Sequence, residues 1–381
     1  MRIAVVTGSR ADYGLIRPVL EALSRDPAFQ VGLIVTAMHL APEFGMTVGA
    51  IEADGWPILA RVPTLDGDDT GLGVARAVGR GVTGVADVLD RERPDLVVVV
   101  GDRFEQLAAA EAALFLGLPI AHLFGGDVTE GAFDESIRHA ITKLANLHFV
   151  STAAAGRRVV QLGEDPATVH VVGSPAIDDL LNRPRLSRSA LEEALGIALR
   201  EPLLLVTFHP ATRDPEPAVD QVDALLAALA RQPTSTTIVL TRANADPSGR
   251  TINARIEAWA ARHANAHVFD SLGNDRYHIL LGIASAVVGN SSSGLYEAPS
   301  FGVPTVNIGD RQLGRERAAT VIDVAPTEAA IAAGIERALA MPRGGSDNPY
   351  GDGHATERIV EILRGTRPAE LPRKRFHEVL A

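Results

Sequence analysis

The chain has 381 residues, 46% hydrophobic and 22% charged, with 47 acidic against 36 basic side chains and a formal net charge of -11. That length exceeds what one core usually supports, so two domains are expected, and the composition leaves no room for a long disordered tract. The acidic balance disfavours a nucleic-acid partner, and the absence of cysteine excludes disulfides, thiolate catalysis and Cys-ligated zinc.

In chain order, MRIAVVTGSR opens with an apolar run too short before Arg10 for a signal peptide. No stretch approaches the roughly 18 apolar residues that span a bilayer, so no membrane partner and a cytoplasmic location are expected. RIAVVT reads as a first strand, followed by a turn at Gly8. Arg10 could reach an anion near the next helix start, or face solvent in a plain connecting loop. Neither a dinucleotide fingerprint nor a Walker sequence is present. QVGLIVT and DLVVVVG follow as strands. Asp102 comes directly after the latter, where it could cap the next helix or stand as a catalytic acid or base. LPIAHLF then leads into GDVTEGAFDESIRH. Ile137, Ile141, Leu144 and Leu147 recur at helical spacing, so a helix is expected to begin near Asp134. Asp134 and Glu135 suit the positive end of that helix and form i,i+4 pairs with Arg138 and His139. Asp127 and Glu130 precede the helix and are not explained by it; they suggest proton transfer or hydroxyl recognition, or a solvated loop.

LHFVS and VHVVG complete a first set of strands, and the alternation is then interrupted between about 175 and 201. PLLLVTF, TTIVLT, HVFDS, SAVVGN and VPTVNI form a second set. Val- and Ile-rich runs alternating with segments of helical length predict α/β layering with parallel strands, in two doubly wound Rossmann-like halves facing each other across a cleft. His209, just past a strand end, is the best imidazole candidate, though a His-Pro pair in a loop is more often structural. The most specific stretch is AVVGNSSSGLYEAPSFG: its small residues let backbone N-H groups approach an anion, the serines add donors, and Glu297 could accept from a ribose diol. No metal is implied, since the acids and histidines lack ligand spacing. The expected domains are 1-178, 179-352 and a terminal helix and tail, 353-381, packing back on the first domain.

The runs GSRADYGLIRPVL, MHLAPEFG, GDRFE, GGDVTEGAFDESIRHAITKLANLHF, VVGSPAIDDL, NSSSGLYEAPSFGVPTVNIGDRQLGR and NPYGDGHATERI resemble the hydrolysing UDP-N-acetylglucosamine 2-epimerases over nearly the whole chain. The resemblance implies the GT-B fold, a UDP-sugar as small-molecule partner, no NAD or other cofactor, no catalytic metal, and a homodimer or dimer of dimers. It implies that Arg10 holds the diphosphate, that Ser291, Ser292, Ser293, Gly294 and Glu297 bind phosphate and ribose, and that Asp102, Asp127, Asp134, Glu135 and His209 surround the sugar. The implied reaction converts UDP-N-acetylglucosamine and water into N-acetylmannosamine and UDP, feeding sialic-type acid synthesis. One departure stands out: where much of the wider family has a catalytic glutamate, this chain has Phe124. An apolar ring there suits a deoxy sugar, so the alternative substrate is UDP-2,4-diacetamido-2,4,6-trideoxyglucose, for legionaminic acid synthesis. A glycosyltransferase of the same fold is the further alternative.

Overall fold

The Val- and Ile-rich runs fold as parallel strands because each is buried on both faces and needs helices above and below. The computed structural model describes all residues except 69, 129-132, 183-185, 211-216, 244-248, 345-346, 372-373 and 380-381. Two compact units form: Met1–Asp179 with Tyr350–Ala381, and Leu180–Pro349.

The first unit contains β1 (Arg2–Thr7), β2 (Gln30–Thr36), β3 (Ile58–Val62), β4 (Leu96–Val100), β5 (Ile120–Leu123), β6 (Leu147–Val150) and β7 (Val169–Val171). Their order in the sheet is β3-β2-β1-β4-β5-β6-β7, all parallel. Its helices are α1 (Arg10–Ser24), α2 (Val48–Ala53), α3 (Gly71–Glu92), α4 (Phe104–Phe115), α5 (Asp134–Leu144), α6 (Ala153–Gln161) and the start of α7 (Pro175–Asn182). The alternation along β4 divides the core: Val98 and Val100 join one apolar cluster with α1, while Val97 and Val99 join another with α3 and α4.

The second unit repeats the plan. Its strands are β8 (Leu203–Thr207), β9 (Thr237–Thr241), β10 (Ala266–Phe269), β11 (Ala286–Gly289), β12 (Thr305–Ile308) and β13 (Val321–Val324), in the order β10-β9-β8-β11-β12-β13, again parallel. The helices are α8 (Arg188–Leu195), α9 (Ala218–Ala230), α10 (Gly249–Ala260), α11 (Gly273–Ile283), α12 (Ser293–Tyr296) and α13 (Glu328–Ala340). The chain then returns to the first unit as α14 (Ala355–Gly365). Ile359, Val360 and Leu363 pack there with Ile16, Leu20 and Leu23 of α1. The Asp178 carboxylate supplies the cap that His354 does not, accepting from the N-H groups of Ala355 (3.0 Å) and Thr356 (2.6 Å).

Two strands escape the reading of apolar runs, β3 (ILARV) and β13 (VIDV). Both are edge strands and only partly buried, so they need no continuous apolar run to hold their place. Among the described residues, no helix is long and apolar enough to cross a membrane.

Candidate functional site

Both sheets reverse their strand order at the first and fourth strands, and in doubly wound sheets the ligand crevice opens at the carboxyl ends there. In the first unit this point lies between β1 and β4. The turn after β1 is organised by Asp12, a residue the sequence reading did not single out. Its buried carboxylate accepts from the N-H groups of Gly8 (2.9 Å), Ser9 (2.8 Å) and Tyr13 (2.8 Å), and from Gln106 Nε2 (2.9 Å). Ser9 and Asp12 form a capping box, and the S-x-x-D spacing was the signal available for it. The locked turn leaves Arg10 exposed as the first residue of α1.

The turn after β4 passes through Gly101 with φ 77° to Asp102. Asp102 is not the cap of α4; Arg103 is the N-cap residue and makes no side-chain cap bond. The Asp102 carboxylate instead pairs with the guanidinium of Arg138 on α5, a side chain only 3% exposed. Arg138 also donates to Glu135 Oε2 (2.6 Å) and to the backbone carbonyl of Asp127 (2.8 Å). Asp127 Oδ1 accepts from the Ser151 hydroxyl (3.0 Å), and Glu135 Oε1 lies 2.9 Å from His139 Nε2. One buried cation therefore gathers Asp102, Asp127 and Glu135, so the expected Asp134 to Arg138 pairing is not how Arg138 is used. The side-chain carboxyl of Asp134, a half-buried residue at the first position of α5, has no hydrogen bond or ion pair among the described residues. Its carboxyl is pushed up by burial and by the charge of Asp102, against the opposing pull of Arg103 and Arg138. Glu130 lies outside the described residues.

His122 on β5 explains how Asp102 is steadied. It is fully buried; Nε2 donates to the Gly101 carbonyl (2.8 Å), which leaves Nδ1 to accept from the Thr142 hydroxyl on α5 (3.2 Å). Burial holds this imidazole down to about 3, so it is neutral. Phe124 takes the left-handed backbone, φ 67°, and its ring joins the apolar cluster containing Leu123, Phe149 and Val172. The ring is committed to the core, which removes the argument that it offers an apolar surface to a sugar.

In the second unit the reversal lies between β8 and β11. Gly289 ends β11 with φ 138°, and a Cβ there would sit 1.9 Å from the Thr207 carbonyl oxygen, so only glycine fits. Asn290 next staples the two strand ends together. Its side chain accepts from the N-H of His209 (2.7 Å) and donates to the His209 carbonyl (2.8 Å), fixing the buried His209 just past β8. The Asn290 carbonyl in turn accepts from Arg311 Nη1 (3.1 Å) and Gln312 Nε2 (2.8 Å). The N-H groups of Ser291 and Ser292, both half-buried, make no hydrogen bond among the described residues and are available to an anion.

Ser293 and Gly294 serve the loop itself. Ser293 is buried, and its hydroxyl is taken by Tyr277 and by Ser291 Oγ (3.2 Å). Burial pushes the Tyr277 phenol up to about 12. A Cβ on Gly294 would lie 2.6 Å from Thr305 Cγ2, so its smallness lets α12 pack on β12. α12 is a single turn, ended by the 3-10 turn Ala298–Phe301 with Pro299 inside it, so the expected helix-end field at this loop is small. Glu297 is half-buried; its Oε2 lacks a hydrogen-bond partner and lies 3.6 Å from His278 Nε2. Among the described residues no group of three or more His, Asp or Glu could hold a metal ion.

The model of the UDP-N-acetylglucosamine 2-epimerase family matches residues 21-364. The chain is 36% identical over 364 residues to the UDP-N,N'-diacetylbacillosamine 2-epimerase (hydrolyzing) of Legionella pneumophila, covering 95% of each chain. It is also 36% identical, over 84% of each chain, to the GDP/UDP-N,N'-diacetylbacillosamine 2-epimerase (hydrolyzing) of Campylobacter jejuni. The structure of UDP-GlcNAc 2-epimerase from Methanocaldococcus jannaschii shares its fold, with a TM-score of 0.78 at 18% identity over 96% of this chain and 100% of that one. The two doubly wound sheets are thus of the GT-B-like class.

Proposed function

The chain belongs to the UDP-N-acetylglucosamine 2-epimerase family, and from that premise we propose that it is a hydrolysing 2-epimerase acting on UDP-N,N'-diacetylbacillosamine, a 2,4-diacetamido-2,4,6-trideoxy sugar nucleotide. The choice of sugar is supported by the names of both relatives at 36% identity. UDP-N-acetylglucosamine is the second reading, favoured by the description of the family. The reaction type rests on one observation, the buried Arg138 that holds the carboxylates of Asp102 and Glu135 and the backbone carbonyl of Asp127, with the Asp134 carboxyl beside them uncommitted.

The hydrogen at C2 of the sugar is not next to a carbonyl, so a base alone cannot remove it. Departure of UDP with the C1-O electron pair must develop positive charge at C1 first. Asp134 then accepts the C2 proton, and the C-H electrons become the C1-C2 double bond of a 2-acetamidoglucal. Asp102, held in place by Arg138, stabilises the oxocarbenium-like charge. Glu135 in its protonated form returns a proton to C2 from the other face, water adds its oxygen to C1 and gives its own proton to the Glu135 carboxylate so formed, and Asp134 releases the proton it took to solvent. The products are the free 2-epimeric sugar and UDP. In this reading Asp127 supports the cluster, Arg10 and the N-H groups of Ser291 and Ser292 hold the leaving diphosphate, Glu297 takes the ribose diol, and His209 orients the leaving group or water.

The test is proton NMR of the protein in D₂O with each of the two UDP-sugars. Free 2-epimer carrying deuterium at C2, with UDP released, is the expected result, and faster with the diacetamido sugar. Faster conversion of UDP-N-acetylglucosamine would reverse the order of the two readings. Both sugar nucleotides intact without an acceptor would discard the hydrolytic epimerase and favour a glycosyltransferase.

A further inference from the structure

The basic tail after α14 has no part in the reaction above, yet it is tied to the helix that carries the acids. Lys374 is an exposed residue whose side chain is only 24% exposed, and its ammonium donates to the carbonyls of Thr142 (3.3 Å), Lys143 (2.6 Å) and Ala145 (2.6 Å). These stand at the carboxyl end of α5, where a helix leaves its last carbonyls without partners and favours a cation. The same nitrogen lies 2.6 Å from Glu164 Oε2. Glu164 is 2% exposed in its side chain and is also held by Lys143 (2.6 Å) and His148 (3.1 Å). On either side of Lys374 the tail is fastened again. Asn146 Nδ2 donates to the Leu371 carbonyl (3.0 Å), and His377 N-H donates to the Gly163 carbonyl (2.9 Å). Phe376 rests on Gly163, where any Cβ would lie within 2.4 Å of the ring.

Two routes lead from this clamp to Asp102. Along α5, its opposite turn bears Asp134 and Glu135, and Arg138 grips Asp102. Through Thr142, the carbonyl takes Lys374 while the hydroxyl serves His122, whose other nitrogen holds the Gly101 carbonyl next to Asp102. We propose that Lys374 is a positioning residue for the reaction: the tail clamps the carboxyl end of α5 and so sets the placement of Asp134 against Asp102. This rests on the acid roles assigned under the proposed function. Those roles need near-attack geometry, in which a displacement of about 1 Å from a remote change costs as much as 10²-fold.

The test is Lys374→Met in the full chain, with kcat and KM for the preferred UDP-sugar and Kd for UDP. A fall in kcat of about tenfold is expected with KM and UDP binding unchanged. In an Asp134→Asn background the same change should cost nothing further, because both act through one step. An unchanged kcat per folded molecule, or an equal loss in both backgrounds, would overturn the proposal and leave Lys374 a merely structural contact. If Lys374→Met does not fold, Phe376→Ala loosens the neighbouring contact of the tail with Gly163 and Lys143 and is read in the same way, with a smaller loss. Amide exchange over 134-144 needs no substrate and separates this idea from the epimerase reading. Faster exchange in the first turns of α5 in the variant is expected even if no UDP-sugar is consumed, and unchanged exchange there would refute the clamp.

Discussion

Replacing Arg138 by Met tests the acid cluster at its centre. The guanidinium is almost wholly buried and is shared by Asp102, Glu135 and the backbone of Asp127. It also opposes the burial and the Asp102 charge that push Asp134 up. A unit charge one helical turn away, about 6 Å, is worth about 0.7 kcal/mol at the dielectric of water and about 2.8 kcal/mol at an effective dielectric of 20. At 1.36 kcal/mol per pH unit these limits correspond to about 0.5 and about 2 units. Loss of the cation favours the protonated, neutral acid, so the folded-state pKa rises further. The ionised base that takes the C2 proton is then lost at a higher pH as the solution is acidified. The acid limb of the kcat/KM profile should move up by about 0.5 to 2 units, the value read belonging to the coupled acids together. UDP release measured across the acid and neutral range reads this directly, with circular dichroism to establish that the variant is folded. An acid limb that stays in place or moves to lower pH in folded protein would refute the assignment of Asp134 as a base restrained by Arg138.

Asp134→Asn and Asp102→Asn should each lower kcat by about 10² to 10⁴ with little change in UDP affinity by calorimetry; near-normal turnover in either removes that residue from the chemistry. Gly289→Ala should cost at least about 2 kcal/mol in chemical denaturation and weaken UDP binding, since a Cβ would meet the Thr207 carbonyl. Unchanged UDP affinity in the folded variant would show that the serine loop is not the diphosphate site. Glu164 is acidified to about 2, because hydrogen bonds from His148, Lys143 and Lys374 outweigh the burial that alone would raise it. Its contribution is therefore present above its ordinary range near 4.5 and is lost as pH falls toward about 2. Glu164→Gln should be less stable at neutral pH and lose less stability across that acid window; a parallel acid-unfolding curve would show that Glu164 is not the linked group.

The sheets were legible because a parallel strand buried on both faces must be apolar throughout, and DLVVVVG or PLLLVTF can hardly be anything else. The edge strands β3 and β13 were not, since one open side lets ILARV and VIDV carry charged residues. The start of α5 at Asp134 was readable from apolar spacing, but spacing set no end: Leu147 continues the helical period and also opens the strand run LHFVS, and it belongs to β6. Periodicity alone cannot see that the chain turns at Ala145, whose backbone is extended. The role of Asp102 was ambiguous for a similar reason. A carboxylate just past a strand and before a helix fits a cap by spacing, and only the burial of Arg138, 36 residues later in the chain, draws it away.

That burial is also what separates carboxyl groups that look alike in the sequence. Asp102 and Glu135 are hydrogen-bonded to one guanidinium, which limits their motion. Asp134, adjacent in sequence to Glu135, is under burial and the like charge of Asp102, which together outweigh the pull of Arg103 and Arg138 and favour the proton. Environments that drive neighbouring acids apart are how one site acquires both an acid-base group and an electrostatic stabiliser. In this chain the division is made by the direction in which a single side chain, Arg138, leaves α5, and that direction is set by where the helix is held. His122 fixes the turn before Asp102 and the carboxyl end of α5 at once, so the residues that assign the chemical roles are two that carry none of the chemistry themselves.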